Sequence, residues 1–409
     1  MDFAQTEEQR DLAALARQIL TERVTPERLA TLEADVLAGT GEPRFDRELW
    51  AQLAKANLLG IGVPAEYGGL GYGVLEECVV LEEAGRVLAP VPLWACATVG
   101  AGAIAAHGTE AQRRGWLPGL VSGEKIVTVA LAEPRGSDAA APATTATRLA
   151  GSGSSSSSAG GVGPDGGVGV GVGAGWRLDG VRTAVPFATV ADAVLVPART
   201  GTGVGVFLVD PAAAGVTVER QLTTAREVTG LLRLEGVVVG DDALVGGPAA
   251  AEGDAVAVAL RDRATLGLCA LQLGVTERAM RAAAEYTSNR QQFGRPIGSF
   301  QAVGHRLADC YIDVEAIRLT MWQAAWQLAE GWDASSAVAT AKFWAADGGH
   351  RVASAVVHVH GGMGIAEEYF VHRYFLHAKQ LEFTLGGAGE QARRLGDLMA
   401  AAPAPDHVV

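Results

Sequence analysis

Apolar side chains recur at helical spacing through the first third of the chain, at Leu12, Leu15 and Ile19, at Leu49, Leu53 and Leu58, and at Val79, Leu81 and Val87. Residues 1–125 therefore read as a helical domain broken by short loops. At residue 126 the period changes. Ile126-Val-Thr-Val-Ala-Leu131, Ala193-Val-Leu-Val196 and Val204-Gly-Val-Phe-Leu-Val209 are short β-branched runs parted by Gly, Asp and Pro, which predicts a small antiparallel β domain over 126–247. Helical periodicity returns through Ala255–Tyr286, Gln301–Glu330, Ala334–His358 and Ala388–Met399, predicting a four-helix bundle over 248–400 and a frayed tail at 401–409. The class is α+β, in the order helical, β, helical.

Residues 151–175 stand apart. Their Ser run and Gly-Val repeats carry neither charge nor bulk to offset the entropy of ordering, so a flexible hairpin extension is expected. Gly161-Val-Gly163-Pro-Asp-Gly166 matches Gly-x-Gly-x-x-Gly in form only, because no strand precedes it and no helix follows.

Composition narrows the function. With 409 residues and 49% hydrophobic content the chain can bury two or three cores. Its 33 basic against 46 acidic residues, net -13, and the lack of any Lys/Arg-rich run argue against nucleic acid or anionic lipid as partners. Cys78, Cys96, Cys269 and Cys310 lie far apart without Cys-x-x-Cys spacing, which predicts buried free thiols in a reducing cytoplasm. No apolar run nears the roughly 20 residues that span a bilayer, so a soluble cytoplasmic protein is expected. His358, His360, His372 and His377 sit close in sequence, yet no Glu or Cys stands at a metal spacing, so packing and hydrogen bonding are expected of them and no metal.

The densest chemistry lies at Tyr286-Thr-Ser-Asn-Arg290-Gln-Gln292-Phe293-Gly294-Arg-Pro296-Ile297-Gly-Ser-Phe300-Gln301. A long helix ends at the Gly-Arg-Pro-Ile break. There Arg290 can pair with a pyrophosphate, Phe293 can face an adenine or ribose, and Gln292 or Gln301 can offer amide hydrogen bonds. This order resembles the signature of the acyl-CoA dehydrogenase family, in which the segment binds the ADP half of FAD across a subunit interface. Pro64-Ala-Glu66-Tyr-Gly68-Gly69-Leu-Gly71, Ala132-Glu133-Pro134-Arg-Gly136-Ser137-Asp138 and His358-Val-His-Gly361-Gly362-Met-Gly364 resemble further motifs of the same family. The resemblance runs from about residue 3 to about residue 400, interrupted by the one insertion. It implies FAD as cofactor and assigns Arg290, Gln292, Phe293, Gln301, His358, Gly361 and Gly362 to its binding, His358 standing where the family usually has Gln.

The resemblance also marks what is missing. Dehydrogenation at the α and β carbons of an acyl-CoA needs a carboxylate for the α proton and a flavin for the β hydride. The family's usual Glu aligns with Gly386, and the alternative position in the preceding long helix falls at or next to Ala264. Asp262, Glu382 and Glu390 lie nearby and read as surface or cap carboxylates. The flavin-ring contacts align with Ala132, Ala184 and Pro186, the last with neither hydroxyl nor N–H. No catalytic residue is therefore expected in this chain, whereas its ADP-binding residues remain. The resemblance implies a heteromer in which a homologous, Glu-bearing partner seats the FAD and this chain completes its ADP side.

Phe45-Asp-Arg-Glu-Leu-Trp50, Ala302-Val-Gly-His-Arg-Leu-Ala-Asp309, Tyr311-Ile-Asp-Val314 and Val371-His-Arg-Tyr-Phe-Leu-His-Ala-Lys-Gln380 resemble the base-lacking subunits of actinobacterial heterotetrameric, α2β2-type steroid-CoA dehydrogenases of cholesterol side-chain β-oxidation. That resemblance implies a steroid acyl-CoA substrate and an electron-transfer flavoprotein as acceptor. Two alternatives stay open at this stage: a flavin-dependent monooxygenase of the same fold, and a scaffold subunit with no part in the flavin site.

Overall fold

The computed structural model describes residues 4–39, 44–136, 138–149, 175–251 and 253–401. The expected hairpin extension lies outside these apart from Gly175, as does the tail beyond Ala401. Six helices come first: α1 (Glu7–Arg23), α2 (Pro26–Leu37), α3 (Arg47–Lys55), α4 (Val74–Val87), α5 (Gly102–His107) and α6 (Glu110–Val121). Their starts are written locally. Thr6 and Gln9 form a reciprocal capping box on α1, Thr109 and Gln112 do so on α6, and Thr25 caps α2 with Pro26 in its first turn. Asp46 caps α3 while its buried carboxylate receives Arg23 and Arg28. The α1 stripe is rotated from the one expected: Leu12, Ala13, Ala16 and Leu20 are buried, and Leu15 faces out. A period of 3.6 places Ala16 and Leu20 in line with Leu12, so the small residues settle the face.

Seven strands follow: β1 (Val127–Val129), β2 (Thr145–Leu149), β3 (Gly175–Pro186), β4 (Ala193–Arg199), β5 (Val204–Val209), β6 (Val216–Leu222) and β7 (Val228–Gly240). They form one sheet in the order β1-β4-β2-β3-β7-β6, with β5 paired to β4. The sheet is mixed, where the sequence suggested antiparallel pairing throughout. β1 runs parallel to β4, and β2 meets β4 in parallel at Thr145 and Arg199; the other pairs are antiparallel. Parallel neighbours need a long connection, and β1 and β4 are joined through β2 and β3. β3 and β7, the longest pair, escaped the sequence reading because Gly and charged residues interrupt their apolar runs and some polar residues, Arg182 and Thr229, are themselves buried.

The last third holds α7 (Ala255–Asn289), a hairpin of β8 (Gln291–Gln292) and β9 (Arg295–Pro296), then α8 (Gln301–Ala329), α9 (Ser335–His360), α10 (Val371–Phe383) and α11 (Ala388–Ala401). One hydrophobic core joins the first helices to the last ones, and a second, around Trp176, Phe207 and Leu232, fills the sheet's inner face. α4 and α7 cross closely at Gly85 and Gly274. A methyl on Gly85 would strike the Leu271 carbonyl, and one on Gly274 the Glu82 carbonyl. Around that crossing Glu82, Glu83 and Glu277 are buried and pair with Arg17, Arg86, Arg281 and Arg318. Burial alone would raise the Glu277 carboxyl, but the guanidinium groups of Arg86, Arg281 and Arg318 outweigh it and hold it at about 2.

All four cysteines are free and buried, as expected; burial pushes Cys96 and Cys269 up to about 12. No described helix is long and apolar enough to cross a membrane.

Candidate functional site

Arg290 is the residue at which α7 stops: its N–H still donates to the Tyr286 carbonyl, but its backbone is extended (φ -72°, ψ 119°). The chain then turns back through two residues, Phe293 (φ 54°) and Gly294 (φ 79°), between the paired Gln292 and Arg295. Two left-handed residues in a two-residue loop make a tight hairpin whose first position favours Asn, Asp or Gly. Phe occupies it under strain, and its ring is 92% exposed, with only an edge contact to Phe300 at 6.2 Å. Arg295 lies over that same Phe300 ring at 4.1 Å, while Arg290 is exposed and makes no ion pair among the described residues. The turn thus holds an aromatic ring in solvent near an exposed guanidinium.

Gln301 opens α8, and His358, Gly361 and Gly362 close α9. The three helix ends meet. The Tyr286 ring of α7 stacks on His360 at 4.4 Å, and Arg306, in the second turn of α8, lies 2.5 Å from His358 Nδ1. Because a guanidinium only donates, His358 Nδ1 accepts and its remaining ring proton sits on Nε2, free to donate outward. Gly361 takes φ 61°, and a side chain added at Gly361 or Gly362 would meet open space, so another molecule's backbone or a phosphate can approach there. His360 is instead buried by Tyr286 and Tyr369, and its Nδ1 lies 2.7 Å from the Val356 carbonyl.

A second feature lies between the sheet and the helices: a cleft of about 920 Å³ walled by the end of α4, the π-helical turn Leu93–Ala101, β1, α7 and α10. Ala132, Ala184 and Pro186 all line it. Ala184 and the adjoining Phe187 both take left-handed backbone (φ 51° each), and Phe187 turns its ring edge-on to Phe45. At and beside Gly386, the position aligned with a base, the chain passes through two left-handed residues, Leu385 and Gly386. Leu385 lines the cleft, whereas a side chain at Gly386 would run into Glu390 and Gln391. The alternative position is closed as well, since Ala264 is buried and its carbonyl accepts from Trp94 Nε1 at 2.8 Å.

The nearby carboxylates are committed elsewhere. Asp262 is not at the surface, as the sequence suggested, but buried, receiving Arg261, Arg394 and the Ser335 hydroxyl; those cations outweigh burial and hold its carboxyl below the usual range. Glu382 pairs with Lys379, and Glu390 accepts from the Gly387 N–H as a cap at the start of α11. Glu133 accepts from the Ala143 and Thr144 N–H groups and the Thr144 hydroxyl beside buried Arg182; burial raises its carboxyl, but the Arg182 charge and these bonds outweigh it and leave the carboxyl lowered.

One part of the cleft was not legible in the sequence. Thr229 of β7 lines it, as do His377 and Gln380 of α10 with Glu227, which Gln380 Nε2 contacts and which lies 3.8 Å from His377 Nδ1 and 3.6 Å from Arg44. No local spacing links a strand to a helix so far along the chain. Of the four clustered histidines, His372 and His377 are buried packing residues, and no group of three or more His, Cys, Asp or Glu among the described residues could hold a metal ion.

Two domain profiles match the chain: acyl-CoA dehydrogenase, N-terminal domain, over residues 6–124, and acyl-CoA dehydrogenase, C-terminal domain, over residues 252–397. The chain is 45% identical over 412 residues to acyl-CoA dehydrogenase FadE27 of Mycobacterium tuberculosis, covering 99% of this chain and 100% of that protein. Among solved structures it resembles a chain of the ChsE4-ChsE5 complex from Mycobacterium tuberculosis, at TM-score 0.85 and 45% identity over 99% of this chain and 100% of that one. It also resembles a chain of a variant of the Tcur3481-Tcur3483 steroid ACAD, at TM-score 0.82 and 43% identity over 96% and 98% of the two chains. With the helical, β and helical order, the signature hairpin and matches of this extent, the chain belongs to the acyl-CoA dehydrogenase family.

Proposed function

We propose that this chain is the subunit of a heteromeric, FAD-dependent acyl-CoA dehydrogenase that completes the ADP side of a flavin site seated in a homologous, Glu-bearing partner. The family's members are FAD-dependent oxidoreductases acting on CH–CH bonds, and the two halves of the FAD site fare differently here. The ADP side fits. Arg290 is exposed without an ion pair, Phe293 is held outward, and Gly361 and Gly362 leave room for a phosphate. The ring side does not fit, since Ala132, Ala184 and Pro186 offer the isoalloxazine no side-chain donor and Pro186 no N–H.

In this reading Arg290 pairs with the pyrophosphate, Gln292 and Gln301 hold polar atoms of the ADP, Phe293 covers the adenosine, and His358 donates from Nε2 with Arg306 fixing its ring. Bound FAD supplies the acceptor for the β hydride. Leu385 cannot take a proton, so the α proton goes to the partner's carboxylate. No catalytic residue is assigned to this chain. The name of one relative, a steroid ACAD, supports a steroid acyl-CoA, taken here as a side-chain CoA thioester, as substrate of the whole complex, and the family resemblance supports an electron-transfer flavoprotein as acceptor. Intact ring contacts would have favoured a flavin monooxygenase, and a committed Arg290 would have favoured a scaffold; neither is observed.

The observation that carries the proposal is an Arg290 that is exposed and without an ion pair among the described residues, in a chain whose own cleft is stripped of flavin contacts. Co-expression with a Glu-bearing homologue should give a complex with about one FAD per pair of chains, and Arg290→Ala in this chain should release it. Stoichiometric flavin and acyl-CoA oxidation by the chain alone, or full flavin retention in Arg290→Ala, would overturn the proposal.

A further inference from the structure

We propose that a second cavity, enclosed by α1, α2, α4, α7 and α10, binds a small organic monocarboxylate with an apolar body, held at its charged end by Arg278. The cavity measures about 410 Å³, within the roughly 300–1,000 Å³ of small-molecule pockets, and its wall is largely apolar, with Val24, Leu29, Val87, Leu88 and Phe370 on it. It is separate from the cleft described above. Leu88, 4% exposed, is the one residue that lines both spaces, and it partitions them.

The charges on the wall do not balance. Four guanidiniums line the cavity, those of Arg17, Arg86, Arg278 and Arg373, against one carboxylate, Glu83. Three of the four are committed. Arg17 and Arg86 hold Glu83 at 2.7 and 3.2 Å, Arg86 also pairs with Glu82 and Glu277, and Arg373 Nε donates to buried Glu33 at 2.9 Å. Arg278 makes no ion pair or hydrogen bond among the described residues. Its guanidinium lies over the Phe370 ring, 5.3 Å from the centroid, and Phe370 meets Tyr374 edge-on at 6.0 Å. Tyr374 does not supply the missing negative charge: burial pushes its hydroxyl up to about 12, and that hydroxyl donates to the Arg86 carbonyl at 2.7 Å.

Arg278 is partly buried, so less water screens it than at an open surface, and its attraction for an anion is stronger there. A carboxylate accepts from a guanidinium in a charge-assisted, two-pronged pair. The apolar wall beyond it suits a ligand whose remaining surface is apolar, since that surface leaves water. One unmatched cation takes one negative charge; a phosphate dianion would bring a second toward Glu83, which repels it. The whole cavity lies within this chain, so the site does not depend on the proposed heteromer.

The test is equilibrium dialysis of radiolabelled octanoate against the co-expressed complex, with Arg278→Gln as the comparison, so that any sites on the partner cancel. Wild type should hold one more octanoate per copy of this chain, and Arg278→Gln should weaken that site by at least about tenfold. Thr21→Trp, an exposed helix position on the cavity rim, should block it. Both variants should keep their flavin, which reports an intact fold. Octan-1-ol, the same body without the charge, should not compete. Arg290→Ala should lose flavin and keep the octanoate, which separates this proposal from the preceding one. Equal octanoate binding by wild type and Arg278→Gln, undiminished binding in Thr21→Trp, or competition by octan-1-ol would overturn it. Loss of the octanoate in Ala132→Phe, which fills the other cleft, would place the ligand there and would overturn it as well.

Discussion

Phe293 shows how one residue can be tuned against its own backbone. The first position of a two-residue hairpin loop prefers Asn, and a left-handed Phe there costs on the order of 1 kcal/mol. Phe293→Asn should therefore stabilise the chain by about that amount while the complex loses FAD more readily, because the ring is gone; thermal denaturation read beside flavin release checks both halves. A variant that lost stability and kept its flavin would show that the ring packs for structure alone. The ADP-side residues were readable from sequence because most are contiguous and a helix break is a strong local signal. By contrast, Thr229, His377 and Gln380 line one cleft from a strand and a helix far apart in the chain, and spacing along the chain holds no trace of it. That Leu385 lines the cleft was not legible for a subtler reason. Backbone geometry, with φ 57° at Leu385 and 94° at Gly386, decides which of two neighbours faces the cleft.

At the level of elements, the α4–α7 crossing carries both the closest approach and the densest charge. Gly274→Ala puts a methyl against the Glu82 carbonyl and should destabilise by about 1–3 kcal/mol. Glu277→Gln removes the carboxylate that Arg86, Arg281 and Arg318 share and should cost about 3–5 kcal/mol, as breaking a buried ion pair does; denaturant titration of both variants checks the two figures. The sign of the acid response follows. Glu277 is held at about 2 against an ordinary 4.5, so the folded state binds its proton later than the unfolded chain. Its stabilisation is complete above about pH 4.5 and is lost as pH falls toward 2. A pH titration of stability should show wild type declining through that window and Glu277→Gln declining less. Helix positions were legible from periodicity and caps such as Thr6 with Gln9. Strand partners were not, since the parallel pairing of β1 with β4 depends on a long connection rather than on either strand's residues.

For the whole molecule, the exposed Tyr311, Ile312 and Leu319 of α8 add an apolar face to the outward hairpin. The chain expressed alone should self-associate or precipitate, and co-expression with its Glu-bearing partner should yield a defined heteromer by sedimentation velocity; a stable, monodisperse and flavin-free monomer would argue against the proposed assembly. The order of helical and β regions was readable because the hydrophobic period changes at residue 126. That one core unites the helices on either side of the sheet was not, since it depends on which helices cross. The hairpin has a consequence for the life of the chain before assembly. Once the exposed two-residue turn opens into extended chain, the bond after Phe293 becomes a site for a chymotrypsin-like protease, which its left-handed backbone does not fit as folded. Burial against a partner would hide that bond. Surplus copies would then carry their own mark for destruction, and the proteolytic machinery of the cell could balance the two subunits without any matching of their synthesis.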